Sequence, residues 1–186
     1  MRAEIADDTQ SAEHAATFPR GGDYVDLREN PRALERIPAA RQYVPLRNFL
    51  AAVNGADSVF SSASASALLQ PPPAGSSGEG FSFSSWTSLV FAETALNFDR
   101  DSYAEIVARL KGLLERDSGE ALLATLRISP CQFTEQARQG YCLNIQLWAQ
   151  GNSAGQAEMR WGLGLARLQQ ALLFSARALR QRQRGA

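Results

Sequence analysis

From Ala154 to Gln183 no proline interrupts the chain, and Ser153-x-x-Gln156 ahead of the run is a capping box. At 1.5 Å per residue the stretch predicts a helix roughly 45 Å long. One apolar seam on it holds Ala154, Trp161, Leu165, Leu168, Leu172, Ala176 and Leu179. A second holds Met159, Gly162, Leu163, Ala166 and Leu173, with Phe174 between the two. A helix apolar over so wide an arc needs more than one layer to cover it. One seam is therefore expected on a sheet, and the other against N-terminal helices or a second subunit. Trp161, Leu165, Leu168 and Leu172 are the residues expected to form an oligomer seam.

The sheet is announced just upstream. Leu122, Ala124, Leu126 and Ile128 alternate with more polar neighbours, as do Tyr141, Leu143, Ile145, Leu147 and Ala149. This period of two marks half-buried antiparallel strands. With the turn inside Thr134 to Gln139, pairing Phe133 with Gly140 sets Ile128 against Ile145 and Leu126 against Leu147. Both aliphatic rows then share one face, whereas a slip of one residue would put one row in water. Before these strands, Tyr103, Ile106, Val107, Leu110, Leu113 and Leu114 form a helical stripe. Asp99 or Asp101 is its expected cap, Ser102-x-x-Glu105 a capping box, and Ser118-Gly119 its end. Ser88 to Phe98 reads as a strand. The fold class that follows is α+β: an antiparallel sheet with two helices on one face in split β-α-β-β-α order, including the long C-terminal helix.

The first half is less periodic. Residues 1–22 read as a loose arm and 23–60 as a short helical segment packing on the core. Asn30-Pro31 opens a short helix that runs to Ile37, where Pro38 stops it, and Leu46, Phe49, Leu50 and Val53 mark another from Pro45 to Asn54-Gly55. Residues 61–85, rich in Ser, Ala and Gly with Pro71, Pro72 and Pro73, read as a loop or linker, although the stretch up to Leu69 also fits a strand of small residues. Residues 86–186 make the α+β core.

Composition limits function more than it points to one. The 19 basic and 19 acidic residues cancel, so bulk attraction to nucleic acid or an anionic membrane is not expected. Lys111 is the only lysine, an arginine and alanine usage that fits a GC-rich bacterial genome. No apolar run is long enough to span a bilayer, no secretory signal is visible, and two cysteines make no disulfide scaffold. A cytoplasmic protein is expected.

The only histidine, His14, falls in the arm, which leaves no histidine relay or histidine-rich zinc site; no metal or cofactor is expected. Cys131 and Cys142 lie opposite each other in the register above, as a possible redox pair outweighed by two small half-buried residues. The polar sheet face carries Arg127, Asn144, Gln146 and Trp148, a candidate ligand or partner surface unless the first half of the chain folds across it. Gly140-Tyr141-Cys142-Leu143 resembles the third strand of RNA-recognition motifs over four residues, but this register turns Tyr141 to the helix side, and Gln139 replaces the expected basic residue. Arg160, Arg167, Arg177, Arg180, Arg182 and Arg184 form no single stripe and suit a solvated helix end. Gly162 and Gly164 each cost a helix about 1 kcal/mol relative to alanine, so close approach of another backbone along Gly155, Gly162 and Ala166 is expected in compensation. The expected function is a non-enzymatic interaction or assembly module that oligomerises through the last helix, with itself or another protein as partner. The alternatives are a small-molecule binder or enzyme with a pocket of Tyr103, Trp148 or Trp161, Arg127 and Glu93, and nucleic-acid binding by the arginine-rich end.

Overall fold

The computed structural model describes residues 1–6, 16–19, 25–71, 80–116 and 122–185, with side chains as far as 181. Its strands are β1 (Arg2–Ile5), β2 (Ala16–Phe18), β3 (Phe60–Gln70), β4 (Phe81–Phe91), β5 (Leu122–Phe133) and β6 (Arg138–Gly151). The helices are α1 (Pro38–Gln42), α2 (Val44–Val53), α3 (Arg100–Leu114) and α4 (Ala154–Gly185), with short 3-10 turns at Pro31–Arg36 and Thr94–Phe98. The strands form one mixed sheet in the order β1-β5-β6-β4-β3, with β2 also on β5. The fold is α+β, as the sequence predicts. The antiparallel part runs from β5 to β3, while β1 and β2 run parallel to β5.

The core lies between one face of the sheet and α2, α3 and α4. Leu143, Ile145, Leu147 and Ala149 of β6 meet Leu122, Ala124, Leu126 and Ile128 of β5, all buried. Leu46, Phe49, Leu50 and Val53 of α2 are fully buried on the same side, as their spacing predicts. Three helices thus cover that face rather than two. The capping box of α4 forms with its return bond one residue earlier: Gln156 N donates to Ser153 Oγ, and Asn152 N, not Ser153 N, donates to Gln156 Oε1. In α3 the cap is Asp99, whose carboxylate accepts from Asp101 N and Ser102 Oγ. Glu105 instead pairs with Arg109 one turn on.

Four expectations need correction. The 1–22 arm supplies two short strands that pair with β5, and Met1 and Ala3 are buried. Strands of four and three residues are too short to show periodicity, and the edge they cover is set by β5, far away in sequence. The 61–85 linker is mostly the β3–β4 hairpin; only 72–79 lie outside the described residues. Alternation was hidden there because small residues fill both faces of β3. The strand from Ser88 ends at Phe91, where Asn97 replaces the next strand: its Oδ1 accepts from Phe91 N and its Nδ2 donates to Phe91 O. Finally, β5 and β6 pair Phe133 with Arg138, Leu126 with Ile145 and Ile128 with Leu143. That is two residues from the expected register, because the turn is confined to 134–137, with Ala137 at φ 48° closing it. A slip of two keeps every side chain on its face, so the pattern of alternation cannot detect it.

Candidate ligand and partner surface

The face of the sheet opposite the helices is built by the alternate residues of four strands, and register sets them in rows. One row holds Ser64, Ser88, Asn144 and Arg127; the next Ser66, Trp86, Gln146 and Thr125; the third Leu68, Ser84, Trp148 and Leu123. Ser64, Ser88 and Asn144 of the first row form a hydrogen-bonded ladder with Ser129 of β5. Ser64 Oγ donates to Ser88 Oγ at 3.0 Å, Ser88 Oγ to Asn144 Oδ1 at 2.6 Å, and Asn144 Nδ2 to Ser129 Oγ at 2.9 Å. Four strands are tied together by side chains that satisfy one another, which gives this face a fixed polar spine.

On one side of the spine the face closes over a small second core of Val90, Cys131, Phe133 and Cys142, with Phe18, Ala63 and Phe98 packed on it. On the other side no described element lies across it. Trp86 and Trp148 are half-buried there, diagonal neighbours on β4 and β6. Diagonal positions lie about 7–8 Å apart, within reach of aromatic rings. Gln146 between them is exposed, and Arg127 is half-exposed with its Nε buried and without a partner. Arg2 and Glu4, at the margin on β1, form an ion pair at 2.9 Å.

The four residues read from the sequence as a surface therefore share one face. Asn144 belongs to the ladder, and Arg127, Gln146 and Trp148 to the open ground beside it. Trp86 was missed, although Ser82, Ser84, Trp86 and Ser88 alternate with Phe81, Phe83 and Leu89. The serines on both faces masked that period. Of the first half, Phe18 packs on the second core, but no covering of the open half occurs among the described residues: α2 packs on α4, on the other side of the sheet.

Cys131 stands opposite Gly140 and Cys142 opposite Ser129, so the two are diagonal rather than facing. Both are buried, and neither is in a disulfide. The Cys142 thiol, hydrogen-bonded to Cys131, holds the Cys131 thiol below its ordinary value, while burial pulls the other way.

Trp161, Leu165, Leu168 and Leu172 are none of them more than 2% exposed. They belong to the chain's own core and cannot also serve a second subunit. Trp161 packs against Phe83 with its ring tilted by 31° and donates its indole N–H to Ser85 Oγ at 2.8 Å. On the outer side of α4, Met159, Leu163 and Phe174 are 58–60% exposed. The mid-helix glycines meet side chains and not the expected backbone: a Cβ on Gly162 would lie 3.1 Å from Pro45 and one on Gly164 3.0 Å from Leu147, while one on Gly155 would have nothing within 4 Å.

The proposed pocket is not assembled. Tyr103 and Trp161 are buried on the helix side, Arg127 and Trp148 lie on the other face, and Glu93 is exposed beyond β4. Tyr103 donates to Asn97 Oδ1, and burial pushes its phenol well above the ordinary value. Of the arginine-rich end, Arg180 is held by Ala56 O and Ser58 O, and Arg160 by Gln150 O. The side chains of Arg182 and Arg184, like His14, lie outside the described residues. No cluster of three or more metal-ligating side chains occurs among the described residues, and no described helix is long and apolar enough to cross a membrane. Comparison with protein-family models, with curated proteins and with solved structures gave no match.

Proposed function

We propose that this chain is a non-enzymatic interaction module that takes its ligand or partner on the open half of the sheet. The observation that carries the reading is the juxtaposition of Trp86, Gln146, Trp148 and Arg127 beside a hydrogen-bonded spine that fixes their strands. Indole faces offer flat apolar contact, and an exposed amide with a guanidinium supplies oriented hydrogen bonds. This is the make-up of a recognition surface on a rigid element. Charge narrows the ligand class. Among the described residues, Arg127 is the one charge on this half of the face apart from the Arg2–Glu4 pair, too little to neutralise a polyanion. A neutral ligand rich in hydroxyl or amide groups fits best, such as an oligosaccharide or an uncharged peptide. A cytoplasmic address goes with this reading, supported by two buried thiols that touch without being bridged.

The test is to probe arrays of neutral oligosaccharides and uncharged peptides with the intact chain and with Trp86→Ala/Trp148→Ala. Signal that falls at least tenfold in the variant, with thermal stability kept, supports the open face. No signal on either array, or equal signal from both proteins, counts against it.

A further inference from the structure

We propose that the outer edge of β3 pairs with β3 of a second copy, joining two sheets into one across a two-fold axis. The sheet has two edges and treats them differently. On the β5 side, β1 and β2 are added as short strands, and β1 carries Arg2 and Glu4. Short, charged strands are the usual protection of an edge against further pairing. On the β3 side, protection stops halfway. Arg28 Nη1 donates to Phe60 O at 2.9 Å, and Asn54 Oδ1 accepts from Ser62 N at 2.9 Å, so side chains occupy the outward backbone groups there. A bulge follows between Ser62 and Ser64.

Beyond the bulge, residues 64–70 continue as regular strand against β4. Phe91 gives its N–H and C=O to Asn97, on the side of β4 away from β3. Odd residues of β4 therefore face away from β3 and even ones towards it. Their partners Ser64, Ser66, Leu68 and Gln70 are bonded inward, and the backbone groups of Ala65, Ala67 and Leu69 point outward. No hydrogen bond from a described residue reaches them.

The occupant follows from the strand itself. Phe60–Gln70 contains no charged residue and no proline. A charged strand meeting its own copy sets like charges together; this one does not. In antiparallel pairing centred on Ala67, Ala67 exchanges two hydrogen bonds with its twin, and Ala65 lies against the partner subunit's Leu69. Ser66 then meets the partner subunit's Leu68, whose 56% exposure in the single chain falls. The small side chains leave a second backbone free to approach. Because the β5 edge is already covered, the pairing closes at two copies and does not run on into a filament.

Sedimentation velocity of the wild-type chain across a rising micromolar series tests the proposal, beside Ala67→Pro, Ser66→Lys/Leu68→Lys and Leu163→Glu. The N–H lost in Ala67→Pro points outward, so the ladder to β4 is spared; edge positions tolerate proline on this ground. The double lysine variant sets like charges opposite each other without touching the core. The expected result is a wild-type dimer whose dissociation constant rises at least tenfold in each folded β3 variant and is unchanged in Leu163→Glu. A wild-type chain monomeric throughout overturns the proposal. So does a dimer that survives in the folded lysine variant, or one lost through Leu163→Glu alone, which assigns the interface to the outer side of α4. None of these readings depends on the ligand of the open face.

Discussion

The most consequential single contacts are polar groups held inside the core. Trp161 brings the largest side chain into the layer between sheet and helices, and its indole N–H needs an acceptor there. Ser85 supplies it, one of few hydroxyls on the helix-facing side of β4. Ser85→Ala is expected to destabilise by about 1–3 kcal/mol, the cost of leaving a buried donor unpaired. Urea unfolding measures it, and in a double-mutant cycle with Trp161→Phe the Ser85 penalty should largely vanish. Asp99 gives a pH-dependent case. Its hydrogen bonds from Ser102 Oγ and Asp101 N lower its carboxyl below the ordinary value. A depressed folded value means the stabilisation is present above the unfolded value of about 3.9 and is lost as pH falls through the folded one. Asp99→Asn, which still caps but carries no charge, should flatten the acid limb of a stability-against-pH curve by lowering its neutral plateau towards the acid value.

Among the elements, α4 shows how one helix answers different neighbours along its length. Its 32 residues span about 48 Å, and only their inward arc is committed to the sheet and to α2 and α3. Two of its glycines separate propensity from packing. A Cβ on Gly155 meets nothing within 4 Å, so Gly155→Ala should stabilise by up to about 1 kcal/mol. At Gly164 the same methyl presses on Leu122 and Leu147 at 3.0–3.2 Å within the core. Overpacking there costs about 1–3 kcal/mol, more than the helix gains, so Gly164→Ala should lower stability. Thermal unfolding of the two variants should move in opposite directions. The sequence shows the glycines and their cost, but whether each is a defect or a fit depends on what crosses the helix there.

At the scale of the whole molecule, the sheet is asymmetric in both its faces and its edges. One face takes nearly all the aliphatic residues, and the other is divided by the Ser64–Ser88–Asn144–Ser129 ladder into a small closed core and an open field. The first five residues matter here out of proportion to their number. Met1 and Ala3 are buried against β5 and α3, and their strand covers an edge. Deleting residues 1–5 should cost on the order of 2–4 kcal/mol from lost burial and should expose β5 to new pairing. A lowered unfolding midpoint together with light scattering that rises with protein concentration is the expected signature.

What the sequence by itself determined was everything with a strong period: α3, α4 and its capping box, the apolar core of α2, and the shared face of β5 and β6. From that alternation it also placed Arg127, Asn144, Gln146 and Trp148 together, because residues two apart on paired strands must share a side. Tertiary structure decided the rest. The two-residue shift of β5 on β6 leaves the alternation unchanged, so only the closed turn at Ala137 reveals it. β3 and β4 carry serine or alanine on both faces and become strands through pairing rather than pattern, which hid both Trp86 and the open edge. The inner seam of α4 is apolar for a chain that packs against itself as much as for one that packs against a partner. Burial alone separates the two, and burial is a property of what the other elements bring to the helix.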